Sequence, residues 1–373
     1  MTADDDRGDG LPETVLPSGA TMRTAHRYED VRRVLTDPRF KRDLSGTPAA
    51  RMVSGNDISD DPHLILNMDP PEHTRIRRIV AGAFAPRRIL RWRPRIVEIT
   101  RELAGELAAQ GPPADLVAGF AFPLPVRVIC ELLGVPDADR ERYRRWADAA
   151  LTTSDLDAGG RAEAAREFRD HVRGLLAERR ANPGEALIDD LIAARDGSDA
   201  LTEPELVSLV TALITGGHET TANLIASGVF TLLGEDRFRG LEPTEGLVEE
   251  LLRHDTPALY ALPRVAAEDV DLPSGRVAAG ELVLPLLAEA NRDPGMFPEP
   301  DRFDATRDGP AHIAFGQGAH FCLGARLARL EAEAALAVLL AEFPGLALAV
   351  PAEEVPWREA SLVRGPTRLP VRW

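Results

Sequence analysis

Ten residues, Phe315-Gly-Gln-Gly-Ala-His-Phe-Cys-Leu-Gly324, gather a cysteine, a histidine and three glycines. Glycines at 316, 318 and 324 let a backbone turn sharply and come close to a flat ligand. Cys322 stands just before a helix-periodic stretch that begins at Gly324, where unpaired amides and the helix dipole favour a thiolate. A thiolate is the axial donor that pushes electron density onto a haem iron and favours O–O cleavage. A dinucleotide-binding reading of the same glycines fails, because Phe321 occupies the third glycine position and no strand–helix–acid pattern follows. The other cysteine, Cys130, lies in the apolar run Val126–Leu133 and reads as a buried structural thiol. Two cysteines so placed give neither a disulfide framework nor a CxxC pair.

A second group, Gly216-Gly217-His218-Glu219-Thr220-Thr221, lies inside a long apolar stretch. Two glycines and two hydroxyl residues weaken helical hydrogen bonding and permit a local kink with room for O₂ and water. Glu219 and Thr220 form an acid–alcohol pair able to bring protons to a buried site. A zinc-protease reading of His218-Glu219 fails because position 222 is alanine, not histidine. Glu250 and Arg253 stand at i and i+3 on one helix face, a spacing ordinary for surface pairs. Eight arginines (75, 77, 78, 87, 88, 91, 93 and 95) fall within 21 residues that contain no acid.

The elements that must hold these groups are mostly helical. Alternation around Pro17-Ser-Gly19, from about Glu13 to Ala25, suggests a hairpin, and helical periodicity follows at Tyr28–Leu35. Residues 41–68 read as loop, with apolar Met52, Val53, Ile58 and Leu64 interspersed. From Pro71 to about Leu252 the chain is mainly helical. There Thr202 and Glu205 form a capping box with Pro204 in the first turn, opening a helix that runs to about Leu233. Short strands and turns follow Pro257 (Val270–Leu272, Ser274-Gly275, Leu282–Leu286), then a Pro-rich irregular stretch, Asn291–Asp304, and a helix over Gly324–Glu342. The fold class is predominantly α with a minor β region, an α+β layout.

With 373 residues, 44% of them hydrophobic, and no linker, repeat or low-complexity tract, residues 1–373 read as a single domain. The net charge of −16 argues against general nucleic-acid binding. The first twenty residues are polar and acidic, without a signal-peptide pattern. Leu206–Leu233 approaches the length of a membrane span but is interrupted by Gly216, Gly217, His218 and Glu219, so it reads as a core helix. The expected setting is cytoplasmic, with no membrane partner; a monomer is expected.

The loop ending at Gly324 resembles the haem-binding loop of the cytochrome P-450 superfamily, Phe-Gly-x-Gly-x-His-x-Cys-x-Gly, at every specified position. The resemblance extends over roughly residues 27 to 365 in the order of bacterial members. It implies haem b bound by Phe315, Gly316, His320, Cys322 and Gly324, with Cys322 on the iron. It also implies that His73, Arg77, Arg264 and His320 meet the haem propionates, groups suited to carboxylates. Gly216–Thr220 looks like the family's oxygen-activation signature, with Gly216 in place of the usual alanine. By the same resemblance Glu250 and Arg253 join Arg302, from Pro300-Asp-Arg302-Phe303, in a structural network. Substrate contacts would come from residues 50–66 and 150–160 and from Leu213, Gly216, Gly217, Ala258, Leu259, Tyr260, Leu262 and Leu362, with Thr152 as a further polar group. The arginine-rich stretch, with Arg326 and Arg329, borders the face above the thiolate and suggests docking of an acidic ferredoxin, which a ferredoxin reductase recharges from NAD(P)H. The segment 1–27 and the link 234–243 look shorter than in the family. The implied activity is a haem-dependent monooxygenase that hydroxylates or epoxidises a medium-sized hydrophobic molecule, in bacterial secondary metabolism. Oxidative coupling or ring formation, a carrier-bound substrate, and a non-catalytic haem-binding protein are the alternatives.

Overall fold

The computed structural model describes residues 10–15, 21–44, 61–136, 142–143, 145–146, 149, 158–195, 201–235, 237–358 and 362–373. Its helices are α1 (Tyr28–Thr36), α2 (Glu72–Ala83), α3 (Pro86–Arg91), α4 (Arg93–Gln110), α5 (Pro123–Leu133), α6 (Ala158–Ala181), α7 (Leu187–Arg195), α8 (Glu203–Gly234), α9 (Glu245–His254), α10 (Leu287–Ala290) and α11 (Ala325–Glu342). Helix α8 begins where the capping box places it. The Thr202 hydroxyl accepts from the Glu205 amide at 3.4 Å, and the Glu205 carboxylate accepts from the Thr202 amide at 2.8 Å. Most faces of α8 are apolar and buried, so tertiary packing rather than propensity stabilises its middle. It packs against α5 and α11, and α11 packs on α4, so that α4, α5, α8 and α11 enclose the main apolar core.

A smaller layer lies beside this bundle. Strands β1 (Glu13–Val15) and β2 (Thr21–Ala25) form the expected hairpin, pairing Glu13 with Arg23 and Val15 with Thr21. They continue a five-stranded sheet with β3 (Phe40–Lys41), β5 (Arg264–Ala266) and β8 (Leu282–Pro285), in the order β1-β2-β8-β5-β3. A two-stranded piece, β6 (Val270–Leu272) with β7 (Gly275–Val277), and a three-stranded sheet of β4 (Ala114–Asp115), β10 (Pro370–Arg372) and β9 (Ala347–Leu348) complete the β structure. Tyr28, Val31, Val34 and Phe297 bury a second core between α1 and the large sheet.

At the start of the chain, residues 1–9 lie outside the described residues and the described part of the segment 1–27 is strand and loop. In the link after α8, described residues 237–244 have no regular structure. The sheet matters to the site because β5 starts at Arg264. The bundle matters because α8 and the loop before α11 face each other across a cavity.

Candidate active site

Cys322 sits between a tight loop and the first turn of α11. Its amide donates to Phe315 O at 3.0 Å, closing the loop, and its sulfur accepts from the amides of Gly324 and Ala325. Burial nevertheless pushes the Cys322 thiol up, against the opposing pull of those amides, Arg77 and Arg329. The helix-end amides act in the direction expected of them, and loss of hydration opposes them. A metal cation removes the thiol proton outright, so this sulfur is suited to a metal and poorly suited to act as a free nucleophile.

The loop glycines divide differently from the sequence expectation. Gly316 and Gly318 have φ of 68° and 73°, a region that favours glycine. A Cβ on Gly318 would lie 2.6 Å from Leu35 O at the end of α1, so that glycine answers to the protein backbone. Gly324 lies outside the positive-φ region, at −81°, and a Cβ there would be 4.0 Å from Cys322 Sγ. Phe315 holds its ring under the Arg329 guanidinium, 4.6 Å from the ring centre.

Sulfur and loop form one wall of a cavity of about 350 Å³ that contains nearly every residue singled out from the sequence. One end is cationic. His73 and Arg77 come from α2, Arg264 from β5, His320 from the loop, and Arg42 from the segment after β3. The rings of His73 and His320 are 4.2 Å apart. Burial and the neighbouring cations lower His73, drive His320 down to about 2 and bring Arg264 to about 9. His73 Nε2 and Arg264 Nη1 are buried without a hydrogen-bond partner. Buried cations and orphaned donors in one place constitute a strong demand for anionic oxygens. Two carboxylates at the edge of a flat, apolar group that also offers a metal to Cys322 meet that demand, so the donor set fits haem. Arg42 was not foreseen. It is 1% exposed and tied to Asn67 Oδ1 (2.7 Å), Leu66 O (2.8 Å) and Pro263 O.

The opposite wall is α8. Leu213, Gly216, Gly217 and Thr220 line the cavity, joined by Ala258, Tyr260, Leu262 and Leu362 from elsewhere and by Ile129 of α5. Thr220 Oγ1 donates to Gly216 O at 3.1 Å. The expected kink is not expressed as a break: α8 stays α-helical from 203 to 234. One expectation needs correction. Leu259 lies outside the lining, its amide engaged with Leu362 O at 3.0 Å. Glu219 lies outside it as well, fully buried on another side of α8 and paired with Arg358. Residues 50–60, 150–157 (with Thr152) and 361 lie outside the described residues.

Arg253 donates twice to Glu250 at 2.8 Å, both side chains buried. The third member is not the expected one. Arg302 is 55% exposed and binds Glu299 and Asp304, whereas Arg307 Nε reaches Glu250 Oε1 at 3.3 Å and Arg307 also binds Arg302 O. The arginine-rich stretch is partly neutralised: Arg75, Arg88, Arg93 and Arg95 pair with Glu205, Asp190, Glu333 and Glu131. Arg329 pairs with Glu249, a carboxyl held at about 2 by Arg329 and His312 against its burial. Among the described residues, exposed Arg87, Arg91 and Arg326 make no such pair.

Comparison with known proteins gives this arrangement a family. Residues 233–364 match the family model described as Cytochrome P450. The mycinamicin IV hydroxylase/epoxidase of Micromonospora griseorubida is 45% identical, over 96% of this chain and 91% of that protein. The chain belongs to the cytochrome P450 family. Among solved structures, the LnmA P450 hydroxylase of the leinamycin pathway of Streptomyces atroolivaceus is 40% identical. It superposes with a TM-score of 0.89 over 98% of this chain and 94% of that one. The putative thioether synthase SgvP, from a tailoring step of griseoviridin, is 38% identical with a TM-score of 0.90, over 97% and 93% of the two chains. The protein is thus a cytochrome P450 monooxygenase, and haem iron is the cofactor its family implies. Such enzymes take electrons from redox partners and bind hydrophobic substrates. No described helix is long and apolar enough to cross a membrane.

Proposed function

We propose that this P450 hydroxylates or epoxidises a medium-sized hydrophobic natural product of bacterial secondary metabolism. The observation that carries this reading is the wall facing Cys322, where Ile65, Leu66, Ile129, Leu209, Leu213 and Leu362 leave Tyr260 and Thr220 among few polar groups. Such a wall favours apolar ligands and excludes water. Haem b, when bound, supplies reductive O₂ activation and transfer of one oxygen atom to a C–H or C=C bond. Cys322 is assigned to the iron, and His73, Arg77, Arg264 and His320 to the propionates. Thr220 and Glu219 are assigned to proton delivery, Thr220 at the cavity and Glu219 as its supply. Electrons are assigned to an acidic ferredoxin and its NAD(P)H-dependent reductase, met at the face bearing Arg87, Arg91 and Arg326.

Reduction with dithionite followed by CO tests the centre. The strongly red-shifted Soret band of thiolate ligation is expected in the native protein and its loss in Cys322→Ala. A histidine-type spectrum in folded native protein would overturn the assignment. A panel of macrolides, terpenes and fatty acids, scored by the ferric spin-state shift, tests the substrate class. Polar compounds alone causing the shift would sink it. A second reading, ring or bond formation without oxygen insertion, is favoured by the similarity to SgvP. Product mass separates it from hydroxylation by one oxygen atom.

A further inference from the structure

We propose that Arg42 is a positioning residue for ligand binding. It locks the Ile65–Leu66 wall of the cavity to the stretch carrying Leu262 and Arg264, and so sets how firmly a bulky apolar ligand is held. This rests on the reading, proposed above, of that wall as a contact surface for apolar ligands. Arg42 is 1% exposed. Each nitrogen of its guanidinium donates to a neutral acceptor: Nε to Leu66 O at 2.8 Å, Nη2 to Asn67 Oδ1 at 2.7 Å and Nη1 to Pro263 O. Ile65, Leu66, Leu262 and Arg264 all line the cavity. One buried side chain therefore joins two walls that come from distant parts of the chain.

The wall needs such a fastening because its own structure is slight. Ile65–Asn67 is a single 3₁₀ turn, a form with poor hydrogen-bond geometry. Asn67 N reaches Leu64 O at 2.8 Å, but Met68 N reaches Ile65 O only at 3.4 Å. Anchors from outside hold the turn. Asn67 Nδ2 donates to Asp61 O at 3.0 Å, and Asp61 Oδ2 accepts from Ser208 Oγ of α8. Asp69 accepts from the amides of Arg42 and Asp43, both at 3.0 Å. The Asn67 side chain thus stands between Arg42 and the link to α8, so guanidinium, turn and central helix form one chain of hydrogen bonds. Leu66 is 37% exposed while lining the cavity, which puts it at the rim.

Its surroundings separate Arg42 from the neighbouring cations. Burial first and then the Arg42 charge lower Arg264, so the two guanidiniums are close together. Arg264 Nη1 is buried without a partner, whereas the nitrogens of Arg42 are engaged by the protein. Arg264 is therefore suited to an anionic oxygen, and Arg42 to holding the two walls together. Removing the guanidinium would leave Leu66 O, Pro263 O and Asn67 Oδ1 short of a donor in a buried place, a cost the turn escapes only by moving. Lysine cannot substitute, because an ammonium is a point charge and cannot span acceptors set around a planar fork. The position demands geometry more than charge.

The test uses haem-loaded protein and two azoles that bind through the iron, imidazole and clotrimazole, of which only the larger has the bulk to reach the wall. Dissociation constants are read by optical titration, and hydrogen–deuterium exchange over residues 64–69 is followed without ligand. Arg42→Met should weaken clotrimazole by about tenfold, the share of one apolar side chain, and leave imidazole unchanged. Exchange at the Asn67 and Met68 amides should rise by about tenfold, as in a segment that opens locally. Arg42→Lys, which keeps the charge, should match Arg42→Met in both readouts. Asn67→Ala should add little to Arg42→Met, because both break the same chain of hydrogen bonds. A native clotrimazole-to-imidazole ratio in Arg42→Met would overturn the proposal, and so would native exchange over 64–69. A native-like Arg42→Lys beside an Arg42→Met that loses haem faster to apomyoglobin would also overturn it, because that pattern marks a charge kept for the propionates. If Arg42→Met takes up no haem, Arg42→Lys decides: weaker clotrimazole with faster exchange supports the lock, and native behaviour rejects it. If no apolar ligand of the panel shifts the spin state while ratio and exchange change as expected, the substrate reading fails and the lock stands.

Discussion

Glu331 and Glu333 stand two apart on α11 and have opposite surroundings. Glu333 is half-buried and meets Arg93 at 2.6 Å. Glu331 is 1% exposed, lines the cavity, has an oxygen without a partner, and is raised well above the usual carboxylate range by burial alone. An isolated buried carboxyl stays protonated because desolvation disfavours its charged form. Its folded-state pKa lies above the unfolded one, so folding takes up a proton. Stability is therefore full below the unfolded pKa and falls as pH rises toward the folded one, by at most about 1.4 kcal/mol per pH unit. Glu331→Gln, which resembles the protonated acid, should gain on the native protein as pH rises from 5 to 8 in urea unfolding. A pH-independent difference would show that Glu331 is ionised in the folded state. Nothing in the sequence marks this residue, since a glutamate in an Ala-rich helix looks the same on either face. Arg42 and Arg358 are equally illegible: their partners lie far along the chain, and no local spacing relates them.

Helix α8 shows how an element can be legible while the partners of its side chains are not. The capping box, the apolar run and the end near residue 233 were all legible because they depend on neighbours within a few positions. Which side of the helix Glu219 takes depends on Arg358, 139 residues away. In the Pro-rich stretch the resemblance points to Arg302, whereas the arginine that reaches Glu250 is Arg307, five positions on in a segment with no periodicity to fix which side chain turns inward. Between the two adjacent glycines the structure draws a distinction that the sequence did not. A Cβ on Gly216 meets nothing within 4 Å and points into open cavity, whereas one on Gly217 lies 2.9 Å from Ile129 Cγ1. Gly216→Ala should raise stability by roughly 0.5–1 kcal/mol through reduced backbone entropy loss and narrow the range of ligands that shift the spin state. Gly217→Ala should gain less or lose stability, because Ile129 must move. Thermal midpoints of the haem-loaded variants check the ordering, and the reverse order would place the contact at the wrong glycine.

Across the whole molecule, the cysteine loop meets α2 through Arg77, which donates to Phe321 O at 2.5 Å, while α3 packs on α11 and Arg93 at the start of α4 pairs with Glu333 of α11. The local run of eight arginines on a chain of charge −16 is what suggests a docking face. The run could not reveal that four of them are already matched by acids from α5, α7, α8 and α11. What is left is narrower: Arg87, Arg91 and Arg326, with Leu90 of α3 and Phe321 of the cysteine loop each 40% exposed. Charges at the rim of an interface act mainly on encounter with an oppositely charged partner, and salt screens them over a Debye length of about 10 Å at 0.1 M. Reversing Arg87 and Arg91 to glutamate should therefore slow reduction by an acidic ferredoxin by about tenfold at low salt, with the difference shrinking as salt rises. The CO difference spectrum and ligand-induced spin shifts should stay as in the native protein, because neither arginine lines the cavity. Reversing Arg88 and Asp190 together, a pair already neutral, should change the rate far less. Stopped-flow reduction at two ionic strengths decides the matter. If Arg87→Glu/Arg91→Glu reduces as fast as the native protein at low salt, the ferredoxin approaches by another face.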